Sequence, residues 1–193
     1  MNENETPRWR PADQRGADYD ERWRGLEEAG LSLHGEADFI CRFEARTVLD
    51  AGCGTGASTA ALLEAAPHAE IVAVDASEGM LECARAKKWP DSVSFVRTPI
   101  ENLADAGVEG PFDGILAAYL LRNLADPDAQ LRRFREMLTP GAPLAAHEYS
   151  VGDSRRARSV WNAVCWGIII PAGWAQTRDT ALYRHLWRSV NAF

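Results

Sequence analysis

The chain has 193 residues, 46% of them hydrophobic and 25% charged, with a formal net charge of -7. This is the composition of one globular domain with a core of ordinary size, and its acidic balance argues against nucleic acid as the main partner, since phosphate binding needs a basic face. Cysteines 41, 53, 83 and 165 show no C-x-x-C pair and no metal-ligand spacing. No metal is therefore expected, and reduced thiols in a cytoplasmic protein are the simplest reading. The polar start MNENETPRWR does not read as a signal peptide. The longest apolar run, 160–171, is about half of the roughly 20 residues that a membrane span requires.

In chain order, residues 1–16 are polar, with Pro7, Pro11 and Gly16, and read as a flexible arm. Residues 17–44 read as helical pieces broken near Gly30 and Gly35. Strands are expected at 47–50, 71–75, 92–97, 112–120 and 143–149. Helices are expected at 56–66, 77–88 with Ser77 as N-cap, and 126–138 with Asp126 as N-cap and Pro127 at the first position. Strands alternating with helices at this spacing imply βαβ units, hence an α/β, doubly wound, mostly parallel sheet. Its ligand belongs beyond the carboxyl ends of the strands.

The first strand runs into VLDAGCGTGAS, 48–58. Gly52, Gly54 and Gly56 allow a tight turn and close backbone approach, and the following helix presents free N–H groups and a positive dipole end. Nineteen residues after Gly56 the second strand ends in Asp75, a carboxylate placed to accept ribose hydroxyls. Together they read as an adenosine site. The loop also fits the dinucleotide pattern through Ala57, but Asp50 stands just before the glycines and would repel a pyrophosphate. A cationic sulfonium would suffer no such repulsion, which favours S-adenosylmethionine over a nicotinamide dinucleotide. A tight turn without a ligand is the structural alternative.

DAGCGTG followed by AVDAS resembles the first two motifs of class I S-adenosylmethionine-dependent methyltransferases, whose domains are Rossmann-like, and the likeness covers residues 17–150. It implies that Gly52, Cys53, Gly54 and Gly56 line the methionine and ribose, that Asp75 holds the ribose, and that Ala76 and Met80 flank the adenine. Asp50 and Ala118 border the same site. Tyr19 resembles an aromatic that closes over the cofactor, with ordinary helix packing as the alternative. One motif departs. Where relatives carry an aspartate for the adenine amino group, this chain has Pro99, which leaves the Ile100 N–H as a partner for an adenine nitrogen.

The fourth strand leads into LLRNLADPD. Leu121-Arg122-Asn123, Asp126, Pro140-Gly141 and Glu148-Tyr149-Ser150 resemble the pattern of the ubiquinone/menaquinone-biosynthesis C-methyltransferases. The resemblance implies C-methylation of a quinol or phenol, with O- or N-methylation of another small molecule as the alternative. Arg122 is always charged and suits an oxyanion holder rather than a base; a salt bridge to Asp126 or Asp128 is its structural alternative. Asn123 would orient Arg122 or bond the backbone. Tyr119 would meet the substrate hydroxyl or merely pack. His147 is a candidate base, as histidines in general can be near neutral pH, with a satisfied core histidine as the alternative.

Residues 151–193 hold four tryptophans and six arginines against Asp153 and Asp179. They read as a helical cover over an aromatic, prenylated substrate, in contact with a membrane surface, or else as a cap completing the core. Nothing after Ser150 reads as a strand, although the class normally ends in an antiparallel hairpin. The expectation is a five-stranded sheet whose fifth-strand edge is exposed or covered by a partner, which allows a homodimer. A trimmed chain that binds cofactor without turnover is the remaining alternative.

Overall fold

The computed structural model describes residues 35–193. The 1–16 arm, Tyr19 and the helical pieces before residue 35 lie outside the described residues. The rest divides into two compact units, one built on residues up to His147 and one on Glu148–Phe193.

The first unit is a parallel sheet. Short, mostly apolar runs give β1 (Thr47–Ala51), β2 (Glu70–Asp75), β3 (Val93–Arg97), β4 (Gly114–Ala118) and β5 (Leu144–His147), in the spatial order β3-β2-β1-β4-β5. Every neighbouring pair is parallel. The helices are α1 (Gly35–Cys41), α2 (Ala57–Ala65), α3 (Glu78–Arg85) and α4 (Pro127–Met137). Central parallel strands are covered on both faces and so need no polar alternation. Val48, Leu49 and Ala51 are accordingly all buried. Leu49, Ala51, Ile115 and Ala117 pack with Phe134 of α4 on one face. Val48 and Leu116 pack with Ile40 of α1 and Leu62 of α2 on the other. The expected caps form: Ser77 Oγ accepts the Met80 N–H at 3.3 Å, and Asp126 accepts the Ala129 N–H at 2.8 Å.

Three element ends differ from expectation. The helix expected over 77–88 stops at Arg85, because Lys87 N–H bonds back to Ala84 and the Trp89 indole N–H takes the same carbonyl at 2.7 Å. A helix end needs such partners for its last carbonyls. The strand expected over 112–120 stops at Ala118, because Tyr119 swings into the left-handed region with φ 56°. The strand expected over 143–149 stops at His147.

The second unit is helical: α5 (Arg155–Val164), a π-turn over Cys165–Ile169, α6 (Ile170–Thr177) and α7 (Ala181–Ala192). Asn162 ties α5 to α7, accepting from the Trp187 indole at 2.7 Å and from the Asn191 amide at 3.1 Å. α6 lies close to α7 at Gly173, where any Cβ would run into the Tyr183 ring. Among the described residues no strand follows His147, so the sheet has five strands with β5 at its edge. No described helix is long and apolar enough to cross a membrane.

Candidate functional site

Strand order reverses between β1 and β4, since the chain builds outward to β3 on one side and then to β5 on the other. Open α/β sheets bind ligands at this point, beyond the carboxyl ends of the strands. The glycine loop leaves β1 here, the Tyr119–Asn123 turn leaves β4, and the two meet. Leu120 lies against Gly52, 3.2 Å from where a Cβ would stand. Leu120 is therefore a wall between the two loops.

The loop is held by backbone bonds. Gly52 and Cys53 N–H groups both donate to the Val74 carbonyl of β2, at 2.8 and 3.0 Å. Gly52, Gly54 and Gly56 have φ of 81°, 55° and 85°, a region that side chains with a Cβ rarely adopt. Their surroundings divide them. A Cβ at Gly56 would meet the Trp89 indole at 2.9 Å, whereas one at Gly54 would meet nothing within 4 Å. Gly56 thus permits packing, and Gly54 faces open space where a ligand can approach the backbone.

Two carboxylates lie under this loop. Asp50 is 1% exposed. It accepts from Ser58 Oγ at 2.8 and 3.0 Å and from Thr59 Oγ1 at 2.6 Å. Its charge is thus tied to the first turn of α2 rather than standing free at the loop. Burial pushes the Asp50 carboxyl up to about 6, against the Thr59 and Ser58 bonds, with the Asp75 charge adding to the rise. Asp75 spans the two loops: Oδ2 accepts Gly54 N–H at 2.9 Å and Oδ1 accepts Ser77 N–H at 2.8 Å. Each oxygen keeps further acceptor capacity for a ribose hydroxyl. Burial raises this carboxyl as well, opposed by the Ser77 and Gly54 N–H groups. The Cys53 thiol is pushed far up by burial, with Asp50 and Asp75 adding to it, so it is a protonated wall of the loop rather than a nucleophile.

Asp50 makes stability depend on pH. Its folded-state pKa of about 6 lies above its ordinary 3.8, so between the two the folded chain binds more protons than the unfolded. The contribution is full below about pH 4 and is lost as pH rises through about 6, a swing of about 3 kcal/mol. Denaturant unfolding of wild type and Asp50→Asn across that range checks this. The variant should gain relative stability by about that amount as pH rises; a pH-independent difference would contradict it.

The turn after β4 carries the remaining candidates. Tyr119 N–H donates to the His147 carbonyl at 2.7 Å, and the Asn123 amide donates to the Tyr119 carbonyl at 2.8 Å. Asn123 thus bonds the backbone, one of its two expected roles. Arg122, in the short 3-10 turn Leu121–Asn123, sets its guanidinium 5.4 Å from the Tyr119 ring centroid, within cation–π range. His147 stacks obliquely on Tyr119, centroids 4.9 Å apart.

Ala76, Met80, Ile100 and Ala118 sit at the same end of the sheet, after β2, after β3 and at the end of β4. Ile100 is buried and opens a 3-10 turn behind Pro99. Sequence reading missed Trp89, whose indole supports Gly56, and Glu36, which bonds His147. Trp89 had a local signal, an aromatic before Pro90 at a helix end. Glu36 had none, because its partner lies 111 residues away. Two hollows lie elsewhere, near the amino ends of the strands. In the one of about 310 Å³, the Asp113 carboxylate already accepts from the Arg46 backbone N–H, Thr47 and Thr139. Among the described residues no group of three or more acidic, histidine or cysteine side chains is placed to hold a metal.

A glycine loop at a switch point, a carboxylate at the end of the second strand and a second buried carboxylate define a Rossmann-like protein for an adenosine cofactor that is cationic near the loop. Comparison with known proteins agrees. The family model described as Methyltransferase domain matches residues 49–144. The ubiquinone/menaquinone biosynthesis C-methyltransferase UbiE of Syntrophotalea carbinolica is 30% identical over 177 residues, covering 90% of this chain and 69% of that protein. Its namesake in Shewanella frigidimarina is 30% identical over 148 residues, covering 74% of this chain and 58% of the other. Among solved structures, the plantazolicin methyltransferase BamL with a triazolic desmethylPZN analog and SAH superposes with a TM-score of 0.65 at 17% identity, covering 90% of this chain and 61% of that one. The related BpumL gives 0.62 at 18% identity, covering 90% and 62%. The chain belongs to the class I S-adenosylmethionine-dependent methyltransferases, and its cofactor is S-adenosylmethionine.

Proposed function

We propose that this protein methylates a ring carbon of a small aromatic acceptor of the quinol or phenol type. The observation that carries the reading is the Tyr119–Asn123 turn. At the carboxyl end of β4 it holds one guanidinium beside a tyrosine, next to the glycine loop. The likeness to UbiE proteins, whose names specify ubiquinone and menaquinone C-methylation, supports the same substrate class.

The residues that would hold the cofactor fit it. Gly54 leaves room for it, Asp75 offers acceptors to a ribose, and the paired negative charge of Asp50 and Asp75 favours a sulfonium over a pyrophosphate. Bound S-adenosylmethionine supplies an electrophilic methyl group, whose bond to sulfur breaks as the ring carbon bonds to it. The protein must then place that carbon in line and hold the acceptor oxygen as an anion, because a phenolate makes the ring carbon nucleophilic. A fixed guanidinium does this without being deprotonated. Arg122 is the anion holder, and Tyr119 meets the acceptor hydroxyl. In residues 151–193, Trp166 and Trp174 are exposed beside Arg184 and Arg178, a greasy, basic surface that suits a prenylated acceptor. Work at a cytoplasmic membrane surface is part of the same reading.

A methyl-transfer assay on demethylmenaquinol analogues tests this, with the product mapped by NMR. The methyl should appear on the ring carbon beside the hydroxyl. A methyl on oxygen or nitrogen would establish the alternative reaction instead.

A further inference from the structure

His147 stands between two partners on opposite sides of its ring. Nδ1 lies 3.2 Å from Glu36 Oε1 of α1, and Nε2 lies 3.4 Å from the Tyr119 hydroxyl. A carboxylate only accepts, so in the neutral imidazole Nδ1 carries the proton and Nε2 presents its lone pair. The Tyr119 O–H must then donate to Nε2. A contact of 3.4 Å is long, as hydrogen bonds of acid–base pairs often are before a substrate closes on them. Glu36 is the more buried partner, its side chain 14% exposed against 40% for His147. The carboxylate thus backs the ring from inside.

The backbone is strained to build this arrangement. Tyr119 holds φ 56°, a left-handed conformation that is unfavourable for a residue with a Cβ. The conformation is fixed from both sides: its N–H by the His147 carbonyl and its carbonyl by the Asn123 amide. Strain of this kind is kept where the surroundings over-determine a position, and such positions gather at functional sites. The result puts the phenol oxygen on a histidine and the phenol ring under Arg122.

We propose that Glu36, His147 and Tyr119 form a relay that takes the proton from the acceptor's hydroxyl, with Glu36 as the positioning residue that sets the histidine tautomer. This rests on the phenol-methylating reading above. The acceptor's proton passes to the Tyr119 oxygen as Tyr119's own proton passes to His147 Nε2. The imidazolium formed faces the Glu36 carboxylate, and the phenolate formed faces Arg122. Once the ring carbon is methylated, its hydrogen leaves to water as the one net proton released and its bonding pair restores the ring. The re-formed phenolate then takes the relay's proton back, and the three side chains return to their starting state. Orienting a histidine through Nδ1 so that Nε2 can act is a role a carboxylate performs in unrelated hydrolases.

The test uses the full chain, ¹⁵N-labelled at histidine, with S-adenosylmethionine bound. Side-chain ¹⁵N shifts should show His147 protonated at Nδ1 in wild type. In Glu36→Gln, whose amide can donate, the ring should move toward the Nε2–H form. Steady-state kinetics on the phenol methylated by wild type should show kcat falling about 10-fold or more in Glu36→Gln and about 100-fold in Tyr119→Phe. KM for the acceptor and the cofactor Kd should stay within about twofold, and Glu36→Asp should recover part of the rate. The double variant should be no slower than Tyr119→Phe alone, since members of one relay do not act independently. A wild-type ring protonated at Nε2, or a Glu36→Gln kcat within twofold of wild type, would overturn the relay. If wild type methylates no phenol, the substrate reading fails and the tautomer measurement alone decides: Nδ1–H in wild type with a shift in Glu36→Gln supports the relay, and any other result overturns it.

Discussion

Asp75→Ala should weaken S-adenosylmethionine binding by at least about 100-fold. The carboxylate accepts one N–H from the glycine loop, Gly54, and one from the cap of the next helix, Ser77. Its remaining acceptor capacity is what a ribose would use. Hydrogen bonds to a charged group contribute about 1.5–3 kcal/mol each, and two to a ribose would be worth more than 100-fold at about 1.4 kcal/mol per tenfold. The two N–H groups left without their acceptor loosen the loop that presents them, which adds to the loss. Calorimetric titration checks the affinity, and a thermal melt separates it from stability: Tm should fall by a few degrees while the fold persists. Affinity within threefold of wild type would remove Asp75 from the cofactor site.

Arg122→Ala should lower the rate of phenol methylation about 100- to 1000-fold while leaving cofactor affinity within about twofold. Donors aimed at developing charge in a water-excluded site are worth this much when removed. The guanidinium is also part of the packing around Tyr119, so the loss combines an absent counter-charge with a less constrained phenol. Arg122→Lys should recover only part of the rate, because an ammonium keeps the charge without the planar fork. Single-turnover kinetics with saturating cofactor reads the chemical step directly. An unchanged rate in Arg122→Ala would reject its role as anion holder and with it the main support for a phenolate mechanism.

Much of the cofactor half of the site was legible because its information is local. The sequence 48–58 carries strand, turn and helix start within eleven residues, and the positive φ values at 52, 54 and 56 are ones that glycine adopts without strain. Asp75 follows at the spacing that a βαβ unit imposes. The strand-to-helix alternation was equally readable, since every parallel strand of the sheet is a short apolar run. The acceptor half was less legible. Tyrosine has no propensity for the left-handed region, so nothing in AAYLLRN marks Tyr119 as the residue that ends β4 at Ala118. The Glu36–His147 contact spans 111 residues and leaves no periodic signature. Asp50 was read as charge in front of the loop; the hydroxyls of Ser58 and Thr59, one turn into α2, draw it underneath. Its charge still sets the sign of the local field, but from below the backbone.

This glycine loop and its two buried carboxylates should select a cationic adenosine cofactor over a dinucleotide. Isothermal titration of the full chain with S-adenosylmethionine, and separately with NAD and NADP, tests it most directly. S-adenosylmethionine should bind saturably at one site per chain, at least about 100-fold more weakly in Asp75→Ala, and neither dinucleotide should give heat. Binding of NAD or NADP with none of S-adenosylmethionine would contradict it.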